Sequence, residues 1–336
     1  MKKDDLYRYT GTPEQLFGHK EYRLQGGKAD DLRVIEIYNS KGLSLDVLPD
    51  RGMDIANLKF MGMNLSFLSN TGLVSSKYFE EDKNRGFMRN FYAGFLTTCG
   101  LSYMGASCEE DGYNLGLHGR ISNTPAEEVS AQNVIKDDEG LIFLRGKVKE
   151  SEVFGSHLVL EREIKLDAFK NVFTIKDTIE NLGFESVPLM LLYHMNIGYP
   201  FLDEDIEIIL DSKEVIARDE VSEKNLDKYL KAEKPEDGRI EEVFFHKINE
   251  IENLGRFKIL NRKLGIVLSV TYPISKLPYF TQWKSMRSGE YVMGFEPGNC
   301  NVNGRKNARE ENILEFLPAR SKKTIEIVVE INKLNV

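Results

Sequence analysis

Glu296 ends the apolar run of YVMGFEPGNC, directly before a Pro-Gly turn. A glutamate is rarely fully buried unless it is paired. Glu296 is therefore either a rim charge or a carboxylate held there to accept a proton. His194 closes the run PLMLLYH, where apolar neighbours work against a charged imidazole and draw its pKa toward the range useful for proton transfer. On spacing alone it is a catalytic histidine or a satisfied core one. His118, in NLGLHGRISNTP, is flanked by Gly116 and Gly119, whose missing side chains let a ligand approach the backbone. His19, near one end, and His157, opening an alternating strand, read as structural or surface residues. If Glu296 and His194 converge on one pocket, they form an acid–base pair in mismatched environments. They lie far apart in sequence, so only tertiary structure can bring them together.

Other chemistries find little support. GxSxG, HExxH, GxxxxGK[ST] and GxGxxG are all missing from the sequence. Asp46, Asp50 and Asp54 recur at spacing four and could suggest calcium, yet Pro49 interrupts them and an EF-hand's glycine and bidentate glutamate are missing. Neither a metal nor a cofactor is expected. Cys99, Cys108 and Cys300 are odd in number and lack a CxxC, which fits free thiols in a reducing cytoplasm. A net charge of −8 argues against nucleic acid or an anionic membrane as partner. The start, MKKDDLYRYT, has no apolar h-region, and no run of about 18 apolar residues occurs.

The elements that must position these groups are strands. In a chain of 336 residues, 41% of them hydrophobic, a large core is affordable. Apolar residues alternate at Leu43, Leu45 and Val47, at Leu158, Leu160, Ile164 and Leu166, at Phe173, Ile175 and Ile179, and at Ile325, Ile327, Val329 and Ile331. Turn-like NSKG at 39–42, MGMN at 61–64, DDEG at 137–140 and NLG at 181–183 punctuate them. Convincing helices are few and short: TPEQLF near residue 14, and VSEKNLDKYLKAEK around 221–234 as an excursion between strands. With no linker, repeat or βαβ alternation, the reading is one all-β domain over 1–336, a large antiparallel β-sandwich. Its oligomeric state is left open.

Taken in order, LPDRGMDI, TTCGL, GLHGRISN and TQWK resemble an uncharacterised bacterial branch of the aldose 1-epimerase, or galactose mutarotase-like, superfamily. The resemblance spans nearly the whole chain and implies a supersandwich fold and a small carbohydrate as partner. LHGR is similar to the family's LHGG, which implies that His118 binds the sugar near its ring oxygen and anomeric centre. LYHMNIGYPFL resembles the segment bearing the family's general acid, implying that role for His194. GFEPGNC resembles the stretch bearing the general base, implying that role for Glu296. Arg89, in RGFMRNFYAGFL, falls where the family keeps a sugar-binding arginine, with Arg85 as a neighbouring competitor. Trp283, Tyr193 and Phe280 could offer an apolar platform to a sugar face.

The sequence also departs from the family. HGR replaces HGG, HMNIGYP replaces HxxFNL, and Gly298 stands where the base motif has glutamine. The family's sugar-binding aspartate has no clear counterpart; RIEEVFFHKINE offers Glu241, Glu242 and His246. Sugar phosphates would require Arg51, Arg89 and Arg120 to cluster. The expected activity is interconversion of the α and β anomers of a sugar or sugar derivative. The alternatives are a non-catalytic carbohydrate-binding or sensing protein and, further off, a polysaccharide lyase or hydrolase, which needs a longer cleft and usually two carboxylates.

Overall fold

In the computed structural model, residues 3–136 and 139–334 are described. The turn expected at 137–140 therefore lies partly outside the described residues. Elsewhere the alternating stretches fold as strands: Leu43–Leu48, His157–Asp167, Val172–Asn181 and Lys322–Lys333. The expected helix near residue 14 is a single 3-10 turn, Pro13–Gln15, and the excursion breaks into Glu220–Glu223 and Leu226–Lys228. Nucleating a helix is costly, and short isolated ones are marginal without an apolar face to dock.

Two large antiparallel sheets carry the chain. The first runs Gly18–Arg23, Arg33–Tyr38, Leu43–Leu48, Asp54–Phe60, Leu96–Leu101, Val187–Gly198, Glu290–Gly298, Tyr279–Arg287, Glu242–Ile248, Ser212–Ala217, with two short strands attached. The second, of eight strands, runs from Ile206–Leu210 to Ala126–Lys136 and includes the C-terminal strand. The sheets pack face to face, as Phe95 against Phe173 and Phe257 stacked on Phe295 show.

The strand Val187–Gly198 is buried on both faces. Its odd residues, Leu189, Leu191, Tyr193, Met195 and Ile197, join the core between the sheets. Its even residues Met190 and Leu192 join a separate cluster on the outer face of the larger sheet, with Phe87, Phe91 and Trp283. Successive side chains on a strand point to opposite faces, so His194 faces outward with that second cluster. The same parity sends Met293 and Phe295 into the core and leaves Gly294 and Glu296 on the outer side.

One residue breaks the alternation expected along His157–Asp167. Arg162 shares the apolar parity and is fully buried. Asp177 on the neighbouring strand holds it with two bonds of 2.8 and 2.7 Å, and Asp54 of the facing sheet lies 2.9 Å away. Burying a charge is tolerable only when it is paired and hydrogen-bonded. Thr98 and Tyr193 bind the same two aspartates, so the network ties both sheets beneath His194. No helix among the described residues is long and apolar enough to cross a membrane.

Candidate active site

His194, Glu296, His118 and Trp283 line one cavity of about 630 Å³ on the outer face of the larger sheet. His194 and Glu296 come from adjacent, hydrogen-bonded strands, and both are almost fully buried. Nε2 of His194 lies 3.2 Å from Oε1 of Glu296. That distance suits a hydrogen bond, but the alignment does not: Oε1 of Glu296 and Nδ1 of His194 have no partner. Gly294 makes room for the pair. A side chain there would meet Glu296, Trp283 and His194.

His118 arrives from a loop rather than a strand. Its own backbone is left-handed (φ 58°), its N–H donates to the Gly105 carbonyl at 2.8 Å, and its carbonyl accepts from Gly100 N–H at 3.1 Å. At Gly119 (φ 76°) a Cβ would fall 2.3 Å from the Gly100 carbonyl oxygen, so only glycine fits. The adjoining Arg120 turns away to Glu81 at 3.1 Å. The His118 ring meets Phe87 at 4.9 Å and His194 edge-on at 5.7 Å, and its Nδ1 is buried without a partner.

Aromatic rings complete the wall. Phe91 packs 5.2 Å from the His194 ring, Trp283 lies 5.5 Å from it, and the two aromatic rings meet each other at 6.1 Å. The Trp283 indole N–H donates to Glu241 at 2.7 Å, while Arg218 approaches the other Glu241 oxygen at 3.4 Å.

Electrostatics follow from this buried setting. Burial pulls His194 down to about 3, and the nearby His118 ring adds to the effect. His118 falls to about 4 for the same reason. Burial pushes the Glu296 carboxyl well above the usual carboxylate range; Glu241 reinforces this and Arg218 opposes it. Desolvation disfavours the charged form of either group, so burial favours a carboxylic acid beside a neutral imidazole.

Several expected residues lie elsewhere. Arg89 does not line the cavity: it caps the short helix Lys83–Met88 and pairs with Asp82 at 3.4 Å, half-exposed. Tyr193 and Phe280 share the inward parity of their strands and sit in the core, so of the three proposed platforms only Trp283 reaches the cavity. Arg51 is buried against the carbonyls of Ser122, Val74 and Asn90. With Arg51, Arg89 and Arg120 dispersed, the condition for a phosphate site at those residues is not met. Glu241 lines the cavity, whereas Glu242 and His246 do not: Glu242 binds Arg239 and Lys284, and His246 bonds Ser212 and Gln282. A side chain at Gly298 would collide with Leu192 and the carbonyl oxygens of Leu191 and Cys300, so packing accounts for glycine there. The three spaced aspartates likewise disperse, Asp46 to Lys59, Asp50 to Arg33 and Asp54 to Arg162. Phe87 and Phe91 went unnoticed in the sequence; only their nearness to Arg89 in RGFMRNFYAGFL hinted at them.

The sequence model of a domain of unknown function, DUF4432, matches residues 29–331, and the chain belongs to that family. No curated protein matches it. Among solved structures, a Klebsiella pneumoniae protein carrying the provisional name aldose 1-epimerase matches with a TM-score of 0.89 at 22% identity, over 98% of this chain and 86% of that one. A galactose mutarotase-like protein from Clostridium acetobutylicum matches at 0.66 with 14% identity, over 95% and 100%. The galactose 1-epimerase of Lactobacillus acidophilus matches at 0.59 with 12% identity, over 95% and 100%. The chain therefore has the galactose mutarotase-like fold, the all-β sandwich its ordered motifs imply.

Proposed function

We propose that this protein is an aldose 1-epimerase-like isomerase that interconverts the α and β anomers of a sugar through acid–base ring opening. The observation that carries the proposal is the pair His194 and Glu296, buried, 3.2 Å apart and each with an unpartnered polar atom in a cavity shared with His118. Fold alone does not choose a chemistry; the pair is what supports this reading. Ring opening moves the proton of the anomeric hydroxyl to a base as another group protonates the ring oxygen. The C1–O bond to the ring then breaks and C1 becomes a carbonyl. Rotation about C1–C2 and the reverse transfers close the ring on the other face.

Glu296 takes the role of base and His194 of acid, exchanging roles on closure. With a proton on Glu296 and none on His194, the form that burial favours, the pair is set to close the ring. Opening begins after that proton crosses the short gap to His194. His118 holds the ring or anomeric oxygen in line, and Trp283 with Phe91 covers an apolar sugar face. Each placed proton-transfer group supplies on the order of 10² to 10⁴ in rate.

Saturation-transfer NMR or polarimetry on a panel of aldoses tests this. Glu296→Gln and His194→Asn should each lower kcat about 100-fold or more while keeping the wild-type melting curve. Full rate in both variants would end the assignment. Saturable sugar binding with no exchange above buffer would instead mark a binding protein.

A further inference from the structure

The cavity extends well beyond the acid–base pair. Thr281, Trp283, Ser285 and Arg287 alternate along the strand Tyr279–Arg287 and all line it. Thr281 pairs across the ladder with Glu296, and Arg287 with Glu290, so both ends of the row have a cavity-lining glutamate beside them. Six residues of extended strand separate those ends, about 20 Å at roughly 3.3 Å per residue. One sugar ring is no wider than the Trp283 indole and leaves the run from Ser285 to Arg287 uncovered. At that far end Arg287 pairs with Glu290 at 3.5 Å, and Asn70 reaches the same carboxylate at 3.5 Å, all three exposed. Each cavity guanidinium already has a carboxylate: Arg218 has Asp219 and Glu241, Arg239 has Glu233 and Glu242, and Arg287 has Glu290. No uncompensated positive end awaits an anionic substituent.

We propose that the substrate is the reducing end of a neutral oligosaccharide, its free anomeric carbon at His194 and Glu296 and its remaining rings laid over Ser285 toward Arg287, Glu290 and Asn70. The proposal rests on the mutarotase reading above. Anomer exchange requires a free hemiacetal, which an oligosaccharide has only at its reducing end, so a lined strand row running on from the reactive pair suits such a chain.

The test compares anomer exchange on glucose, galactose and xylose with that on the malto-, cello- and xylo-disaccharides and trisaccharides. In at least one series kcat/KM should rise about tenfold from monosaccharide to trisaccharide, as hydrogen bonds to charged groups at the far end provide. Arg287→Ala and Ser285→Trp should each cut that trisaccharide-to-monosaccharide ratio about tenfold. Equal kcat/KM across every series, or ratios the variants leave unchanged, overturn the oligosaccharide proposal while leaving the mutarotase reading standing. If no sugar is exchanged, that reading falls. Calorimetry then decides the oligosaccharide proposal alone: trisaccharide binding weakened by Arg287→Ala sustains it, and no binding ends it. Chain cleavage seen by mass spectrometry overturns both in favour of a hydrolase.

Discussion

Gly294→Ala is the sharpest single perturbation of this site. The new Cβ would lie 2.6 Å from Oε1 of Glu296, 3.1 Å from Cβ of Trp283 and 3.4 Å from Cε1 of His194. Trp283 Cβ is fixed to its strand, so relief must come from the carboxylate. Restoring an ordinary 3.4 Å contact from 2.6 Å moves that oxygen by 0.8 Å. A displacement of about 1 Å in a catalytic group costs on the order of 10² in rate. Stability changes less. Overpacking costs about 1–3 kcal/mol, and replacing glycine offsets about 0.4–1 kcal/mol of that by restricting the unfolded chain. The expected variant is folded, melts within several degrees of wild type and has kcat lowered about 100-fold. Anomer exchange by NMR, beside a thermal melt, measures both. A kcat within about threefold of wild type would refute the idea that rate depends on the Glu296 position. A loss confined to KM would show that the added methyl only narrows the cavity.

Two further outcomes follow from burial. The acid limb of kcat/KM should fall near the His194 value of about 3, because that ratio reports ionisations of the free enzyme. A second proton enters the pair only as pH falls toward the His194 value of about 3, and its one proton leaves only as pH rises through the elevated Glu296 range. A step near 6.5, where an unperturbed histidine titrates, would contradict this placement. Arg162→Met removes the cation between Asp54 and Asp177 and should cost about 3–5 kcal/mol in urea unfolding, since it strands two buried carboxyls. An unchanged midpoint would mean that the network does not hold the sheets together.

Strands were legible because burial imposes a period of two, and Leu43, Leu45 and Val47 or Phe173, Ile175 and Ile179 show it directly. Val187–Gly198 hid its geometry because both faces are buried, so its apolar run carries no phase until the structure assigns odd residues to one cluster and even ones to another. The helical reading of 221–234 failed because local pattern without an apolar face to dock cannot sustain a long helix. At the site, His118, His194, Trp283 and Glu296 were readable from type and context. Their convergence was not, since it depends on the neighbouring of strands distant in sequence. Arg89 was misplaced by motif order alone; the helix before it turns its guanidinium toward Asp82. The row Thr281, Trp283, Ser285, Arg287 was open to the same period-two reading as the core strands. It escaped notice because alternation signals a core only when one phase is apolar, and here the apolar phase is broken by Gln282 and Lys284.

The cavity's open hydrogen-bonding atoms argue that the pair is more than a packing solution. Elsewhere the most demanding buried cations find partners, and so does Asn299: Arg51 reaches three carbonyls, Arg162 two carboxylates, and Asn299 bonds Leu189, Leu191 and Glu315. Among the described residues, the other open buried atoms belong to hydroxyl and amide groups, apart from Glu242, whose second oxygen faces the Lys284 ammonium at 3.2 Å. An unpaired buried polar group costs about 1–3 kcal/mol, and on this wall atoms of His118, His194 and Glu296 have no protein partner to offset it. Local rules are broken where function needs them broken. Three proton-handling groups left open beside one another are what a ligand's oxygens would fill, and a core histidine with its ring satisfied would leave nothing for them to bind.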